Sequence, residues 1–169
     1  KSTVQKNINN QLSNLINHFK PKKINFFNHH MSHAASAFYI SPFQKSLVIV
    51  NDAVGEFDTS SIWTAEKALG KIDKVLNKKS SMKFPDSLGL FYSIMTLYCG
   101  FKVNTGEYKL MGLAPYGRPI YKNRLKDNFI KINSDGTVYL NRKYLSFLYQ
   151  NSMKSSMLEK LFEQPTRNP

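Results

Sequence analysis

Acidic residues and cysteine are both scarce in this chain. Of 169 residues, 11 are Asp or Glu and 24 are Lys or Arg, a formal charge of +13. Such a balance draws a protein toward anions: phosphates, nucleotides, nucleic acid or acidic partners. The positive residues are scattered, with short runs at Lys20-Pro21-Lys22-Lys23 and Lys78-Lys79. No arginine-rich helix or zinc-finger spacing accompanies them. A basic nucleotide- or nucleic-acid-binding module without catalysis is therefore kept as the second reading. The abundance of Lys, Asn and Ile also fits an AT-rich genome, which raises Lys without functional demand. The single Cys99 excludes a disulfide framework within the chain and fits a reducing compartment such as the cytoplasm. No apolar run approaches a membrane helix, and no signal-peptide pattern follows Lys1, so no membrane partner is expected. With 41% hydrophobic residues and 13% aromatics, the chain has enough apolar surface for a core and is not of disordered composition. Its length suits one ordinary domain or a large piece of a bigger one.

Histidine is also sparse, but it is concentrated. Three of the four histidines fall in Asn28-His29-His30-Met31-Ser32-His33, followed by Ala34-Ala35-Ser36-Ala37-Phe38-Tyr39. The small residues favour a helix. On a helix His29 and His33 share a face, while His30 points elsewhere. Two imidazoles one turn apart are a ready pair of metal ligands; they also arise as an ordinary polar face. Ser46-Leu47-Val48-Ile49-Val50 reads as a buried strand running into Asn51-Asp52-Ala53-Val54-Gly55-Glu56. A carboxylate at the carboxyl end of such a strand is where open α/β sheets place ligands, although Asp also caps turns there. Two His and one carboxylate suit Fe(II), with Zn(II) and Mn(II) also accommodated. The zinc-protease pattern needs Glu directly after its first His, and His30 stands there instead.

Along the chain, apolar spacing predicts an amphipathic helix over 1–20, ended by Pro21. A short strand is expected over 24–27, a helix over 30–39 and a strand over 46–51. An antiparallel hairpin is expected to join 60–66 to 72–76 around Gly70. Residues 65–71 superficially resemble a phosphate loop, but the first Gly and the magnesium-holding hydroxyl are missing. Residues 78–85 read as a polar loop. Asp86 or Ser87 caps an apolar, buried helix over 88–99, with Gly100 as its stop. Cys99 reads as a small buried hydrophobe rather than a nucleophile. A basic helix over 121–129 and a hairpin turning on Asn133-Ser134-Asp135-Gly136 follow. Helices near 143–151 and 155–162 and a linker from 164 end the reading.

The second unusual stretch is Asn104-Thr105-Gly106-Glu107-Tyr108-Lys109-Leu110-Met111-Gly112-Leu113-Ala114-Pro115-Tyr116-Gly117. Its glycines suggest a loop that approaches a ligand closely. Lys109 is a candidate for holding a phosphate or carbonyl oxygen, and Glu107 for orienting it or a substrate hydroxyl. The alternative is a structural loop with a surface ion pair.

The blocks His29-His30-x-Ser32-His33-Ala34-Ala35-Ser36-Ala37-Phe38, Asp52-x-Val54-Gly55-Glu56, Phe84-Pro85-x-Ser87-Leu88-Gly89-Leu90-Phe91-Tyr92-Ser93 and Gly100-Phe101-Lys102-Val103-Asn104-x-Gly106-Glu107-Tyr108-Lys109-x-Met111-Gly112-Leu113-Ala114-Pro115-Tyr116-Gly117 come in this order. Together they resemble the O-carbamoyltransferases of nodulation-factor, aminoglycoside and cephalosporin biosynthesis. The likeness extends from about residue 24 to Pro165-x-Arg167-x-Pro169. It implies an α/β fold of the actin and sugar-kinase (ribonuclease H-like) type, related to the tRNA threonylcarbamoyl transferases. It implies a metal, usually iron, on His29, His33 and Asp52, with the turn of Asp52, Ala53, Val54, Gly55 and Glu56 against a nucleotide. The implied chemistry joins carbamoyl phosphate and ATP into carbamoyl adenylate and carbamoylates a hydroxyl of a sugar or secondary metabolite.

Two departures from the family pattern stand out. Ala53 occupies a position where the family usually has Gly, which crowds the turn by a methyl group. The family's opening strand is expected before residue 1. A further metal carboxylate and the adenylate-forming domain are expected after residue 169. On this reading residues 1–169 are a partial N-terminal domain with little activity alone.

Overall fold

The computed structural model describes residues 2–16, 23–67 and 75–168. The expected helix end at Pro21, the turn at Gly70 and the match at Pro169 lie outside them.

Helix α1 (Ser2–Leu15) realises the first amphipathic pattern. Residues 24–27, expected as a strand, are irregular. They lead into α2 (His29–Ile40), which starts where Asn28 Oδ1 accepts a hydrogen bond from the Met31 amide at 3.0 Å. That cap satisfies one of the free N–H groups of the first turn. The helix ends at Ser41, before Pro42, with the Ser41 hydroxyl returned to the Phe38 carbonyl. His30, Ala34 and Phe38, four residues apart, are its buried face. His29 and His33 are thereby turned outward.

Three antiparallel strands form the main sheet in the order β1 (Lys45–Gly55), β2 (Asp58–Glu66), β3 (Leu76–Lys83). The class is mixed α/β, with antiparallel sheets. Val48 and Val50 of β1 join Ala34, Phe38, Trp63, Ala65, Val75 and Leu76 in one core. The expected buried strand is buried on that face alone: Leu47 and Ile49 are each 61% exposed. Two further expectations need correction. Asp52 does not follow the carboxyl end of its strand; it lies inside β1, which folds straight back into β2 at residues 55–58. The polar stretch after residue 77 is a strand and not a loop. Asn77, Lys78 and Lys79 suit an edge strand, where charge discourages pairing with other chains.

The β1–β2 ladder is regular from Lys45↔Glu66 to Asn51↔Ser60 and resumes at Gly55↔Asp58. Residues 52 to 54 thus face Thr59 alone, which makes a β-bulge. Bulges re-aim side chains beside functional sites.

Helix α3 (Leu88–Tyr98) is capped by Ser87, whose Oγ accepts from the Leu90 amide. Gly100 leaves the helix at φ 83°, a conformation open to glycine. The helix is less buried than its apolar sequence suggests, since Leu88 and Tyr92 are exposed. Cys99 is a half-buried free thiol whose pKa is pushed up by burial, which agrees with a packing role.

Residues 104–117 correct another expectation. They contain α4 (Glu107–Leu113) and a 3-10 turn at Ala114–Tyr116. The basic helix α5 (Lys122–Asn128) and the hairpin of β4 (Ile130–Ile132) and β5 (Val138–Leu140) are as expected. Instead of a helix near 143–151 there are two short 3-10 turns, Arg142–Tyr144 and Ser146–Leu148. Helix α6 (Ser156–Phe162) follows. The stretch read as a linker is docked on α3: the Arg167 amide donates to the Tyr98 carbonyl and the Tyr98 hydroxyl to the Gln164 carbonyl. A second core gathers Ile94, Phe129, Leu140, Tyr144, Leu145, Leu158 and Phe162. Asp86 ties it to the start of α3, taking two bonds from the Arg142 guanidinium at 2.6 and 2.8 Å and one from the Leu140 amide.

Candidate metal centre

The outward face of α2 meets the bulge of β1. His29 Nε2 lies 2.7 Å from Asp52 Oδ2 and 3.0 Å from His33 Nε2, and His33 Nε2 is 3.8 Å from Asp52 Oδ2. One ligand atom from each residue falls within 4.8 Å of the others. Metal bonds of about 2.1 Å put neighbouring donors about 3 to 3.5 Å apart, and the three separations straddle that range. Asp52 Oδ1 is fixed by its neighbour's amide, the Ala53 N–H, at 2.7 Å. The other oxygen is left for the imidazoles.

The three ligand atoms can be joined by protons or by a cation. A hydrogen bond from His29 to Asp52 needs the proton on His29 Nε2. That N–H is then shared with a lone pair on His33 Nε2, 3.0 Å away. A metal ion satisfies all three donors at once, with both imidazoles neutral and the carboxylate ionised. Burial acts to raise the Asp52 pKa. The Ala53 amide, the His29 hydrogen bond and the charges of both imidazoles outweigh it and hold the carboxyl below its usual range. The donor set fits a divalent ion of the iron or zinc kind.

His30 is the anchor behind this face. It is fully buried, and its Nδ1 lies 2.7 Å from Ser61 Oγ. The Trp63 indole also donates to Ser61 Oγ. Indole nitrogen only donates, so Ser61 Oγ accepts from Trp63, and its bond to His30 Nδ1 runs in the direction set by the His30 tautomer. Burial lowers the His30 pKa, which keeps the ring neutral. Gly55 closes the site from below: a Cβ there would lie 2.5 Å from both the His29 and His30 rings. No side chain larger than hydrogen fits without displacing a buried ring.

The segment expected to face a nucleotide is unevenly presented. Asp52 and Ala53 are half-buried, Gly55 is buried, and Val54 and Glu56 are exposed. Glu56 takes φ 64° at the hairpin tip and accepts a bond from Asn28 Nδ2 at 3.3 Å. Asn28 therefore caps α2 with one end of its amide and steadies the hairpin with the other, a double role that sequence reasoning missed.

Glu107 and Lys109 are arranged differently. The Glu107 carboxylate accepts from the Asn104 and Gly106 amides and from the Ser93 hydroxyl. The Asn104 amide is the leading cause of its lowered pKa. Lys109 is exposed, and its side chain has no hydrogen-bond or ion-pair partner among the described residues. The two do not pair with each other, and Glu107 is not part of the triad.

Comparison with known proteins shows the family of the chain. Residues 1–168 match the family described as carbamoyltransferase N-terminus. An uncharacterized protein of Synechocystis sp. is 45% identical over 144 residues, covering 85% of this chain and 22% of that protein. The nodulation protein NolNO of Sinorhizobium fredii is 39% identical over 126 residues, 72% of this chain and 17% of its own length. The nodulation protein NolO of Bradyrhizobium diazoefficiens is 33% identical over 154 residues, 81% of this chain and 26% of its own. The chain thus spans about a quarter or less of each of these relatives. It belongs to the carbamoyltransferase family, within the family's N-terminal part.

Proposed function

We propose that this chain is the metal-holding part of an O-carbamoyltransferase. The enzyme converts carbamoyl phosphate, ATP and one water into carbamoyl adenylate with release of phosphate and pyrophosphate, and transfers the carbamoyl group to a hydroxyl of a sugar or secondary metabolite. The observation that carries this reading is the convergence of His29, His33 and Asp52 within a chain of that family. The antiparallel β1–β2–β3 unit followed by α3 is compatible with the opening of an actin-like, ribonuclease H-like domain, to which we assign residues 1–169 as a partial unit.

Fe(II), or Zn(II) or Mn(II), is held by His29, His33 and Asp52. When bound, the ion supplies Lewis acidity toward a carbonyl or phosphoryl oxygen. The chain's own residues prepare the place. His30, Ser61 and Trp63 fix the pitch of α2, so the two outer imidazoles are presented together. The bulge turns Asp52 toward them. Val54 and Glu56, exposed beside the triad, are the parts of the 52–56 turn open to ATP; Asp52, Ala53 and Gly55 shape it. Lys109 offers a free ammonium for the phosphates of either anionic substrate. Glu107 holds the segment carrying Lys109 by accepting its backbone N–H groups. The acceptor oxygen bonds to the carbamoyl carbon as the carbon's bond to the AMP oxygen breaks; AMP departs and the hydroxyl proton passes to solvent.

The test is carbamoyl transfer by the full-length protein, supplied with carbamoyl phosphate, ATP and a panel of hydroxylated acceptors. Radiolabelled carbamoyl product should form only when all three substrates are present. Replacing His33 by Ala should abolish it. Undiminished transfer by His33→Ala would sink the site assignment.

A further inference from the structure

We infer that Ser87 and Gly89, at the first turn of α3, are positioning residues that hold the Asp52 bulge in its ligand-presenting shape. The inference rests on the metal reading above but concerns a different element. The bulge removes residues 52 to 54 from the β2 ladder, so their backbone groups need other partners. Ser87 supplies them. It is fully buried, and its Oγ donates to the Ala53 carbonyl at 2.7 Å, with the Asp52 carbonyl at 3.2 Å. The same oxygen accepts from the Leu90 amide at 3.0 Å, so one hydroxyl both starts α3 and ties it to the bulge.

Gly89 makes that approach possible. A Cβ at Gly89 would lie 2.8 Å from the Ala53 Cα, the Ala53 nitrogen and the Asp52 carbonyl oxygen. These are backbone atoms and cannot rotate aside. The contact also explains how Ala53 is accommodated: α3 meets its backbone through a residue that has no side chain. Asp86, beside Ser87, is clamped by Arg142 and the Leu140 amide, and its carbonyl accepts from the buried Thr59 hydroxyl. Thr59 is the residue of β2 opposite the bulge. The bulge is thus gripped from both sides, and Asp52 Oδ2 is delivered to His29 as a result. Outer partners that orient a ligand typically change metal affinity by about 10- to 100-fold when removed.

The test uses Ser87→Ala, Ser87→Thr and Gly89→Ala in the full-length chain, with two readouts: Zn(II) affinity by calorimetry and amide hydrogen exchange without metal. Ser87→Ala should weaken Zn(II) by about 10- to 100-fold. It should also speed exchange over 51–55 while 46–50 and 61–65 stay protected. Ser87→Thr, which keeps the hydroxyl, should restore both. Gly89→Ala keeps the helix cap and improves helix propensity, so a purely structural role predicts no loss of affinity. The positioning role predicts a loss like that of Ser87→Ala. Wild-type affinity together with wild-type exchange over 51–55 in both Ser87→Ala and Gly89→Ala would overturn the inference. If the wild-type protein itself binds no Zn(II), the metal reading fails, and the exchange arm alone decides whether Ser87 and Gly89 hold the bulge.

Discussion

Two stretches of this chain attract attention as sequence, residues 28–56 and residues 104–117, and the fold treats them in opposite ways. In the first, polar groups from a helix and a strand converge on one another. His29, His33 and Asp52 form a chain of contacts whose three ligand atoms face one point. In the second, the polar groups are consumed locally. The Glu107 carboxylate closes the entry to α4, and Lys109 points to solvent. Ligand atoms from separate elements that meet at one exposed point are a candidate for an ion; a carboxylate that accepts its own segment's N–H groups is already committed to structure. The difference makes the first stretch the place to test for a metal and the second the place to test for substrate contact by Lys109.

The largest effects should come from the ligands themselves. Asp52→Asn and His33→Ala should each weaken Zn(II) or Fe(II) binding by at least about 100-fold in calorimetric titrations. Glu107→Gln should leave it unchanged. If Glu107→Gln weakens binding as much as Asp52→Asn does, the contrast between the stretches collapses.

Next comes Gly55→Ala, since its Cβ must collide with the rings of His29 and the buried His30. The expected cost is about 1 to 3 kcal/mol in urea unfolding, with weakened metal binding alongside. Wild-type stability would mean that α2 can move off the hairpin.

The Asp86–Arg142 pair gives a pH-dependent test. Burial acts to raise Asp86, and the Arg142 and Leu140 hydrogen bonds overcome it, leaving the carboxyl below its usual range. Its contribution is therefore complete above about pH 4 and is lost as pH falls through the lower native value. Asp86→Asn should cost about 2 kcal/mol at pH 7 and flatten this part of the acid limb. Stability measured from pH 7 to pH 2 checks both; an unchanged acid limb in the variant would contradict the assignment.

The smallest effects belong to the second stretch. Glu107→Ala should lose about 1 kcal/mol, the value of a helix-entry cap. Lys109→Ala should change stability by less than about 0.5 kcal/mol, since its side chain is exposed and unpartnered. If Lys109 handles phosphates, carbamoyl transfer by the full-length protein falls in this variant while its metal affinity and melting temperature hold.

The legible parts of the fold are those with local chemistry. Pro42 stops α2, Ser87 and Gly100 bracket α3, and Asp135-Gly136 turns β4 into β5. These signals act within a few residues, so no tertiary knowledge is needed. Strand β3 escaped because Asn77, Lys78 and Lys79 look like a loop until β2 is known to lie beside them. Helix α4 escaped because Gly106, Gly112 and Pro115 argue locally against a helix, although Gly106 serves as its cap and Pro115 falls beyond its end. Within the candidate site, His29 and His33 were singled out by their helix spacing and Asp52 by its place after the apolar run, and the structure brings the three together. The Ser87 and Gly89 contacts were not: they join positions 34 to 37 residues apart, and only the bulge creates the need for them.

The most direct measurement is an anaerobic titration of the full-length protein with Fe(II) and with Zn(II), run in parallel on Asp52→Asn and His33→Ala. The account predicts one ion per chain for the wild-type protein, lost in both variants while their metal-free melting temperatures stay near the parent's. Binding that persists in both variants, or a wild-type protein that takes up no ion, would contradict it.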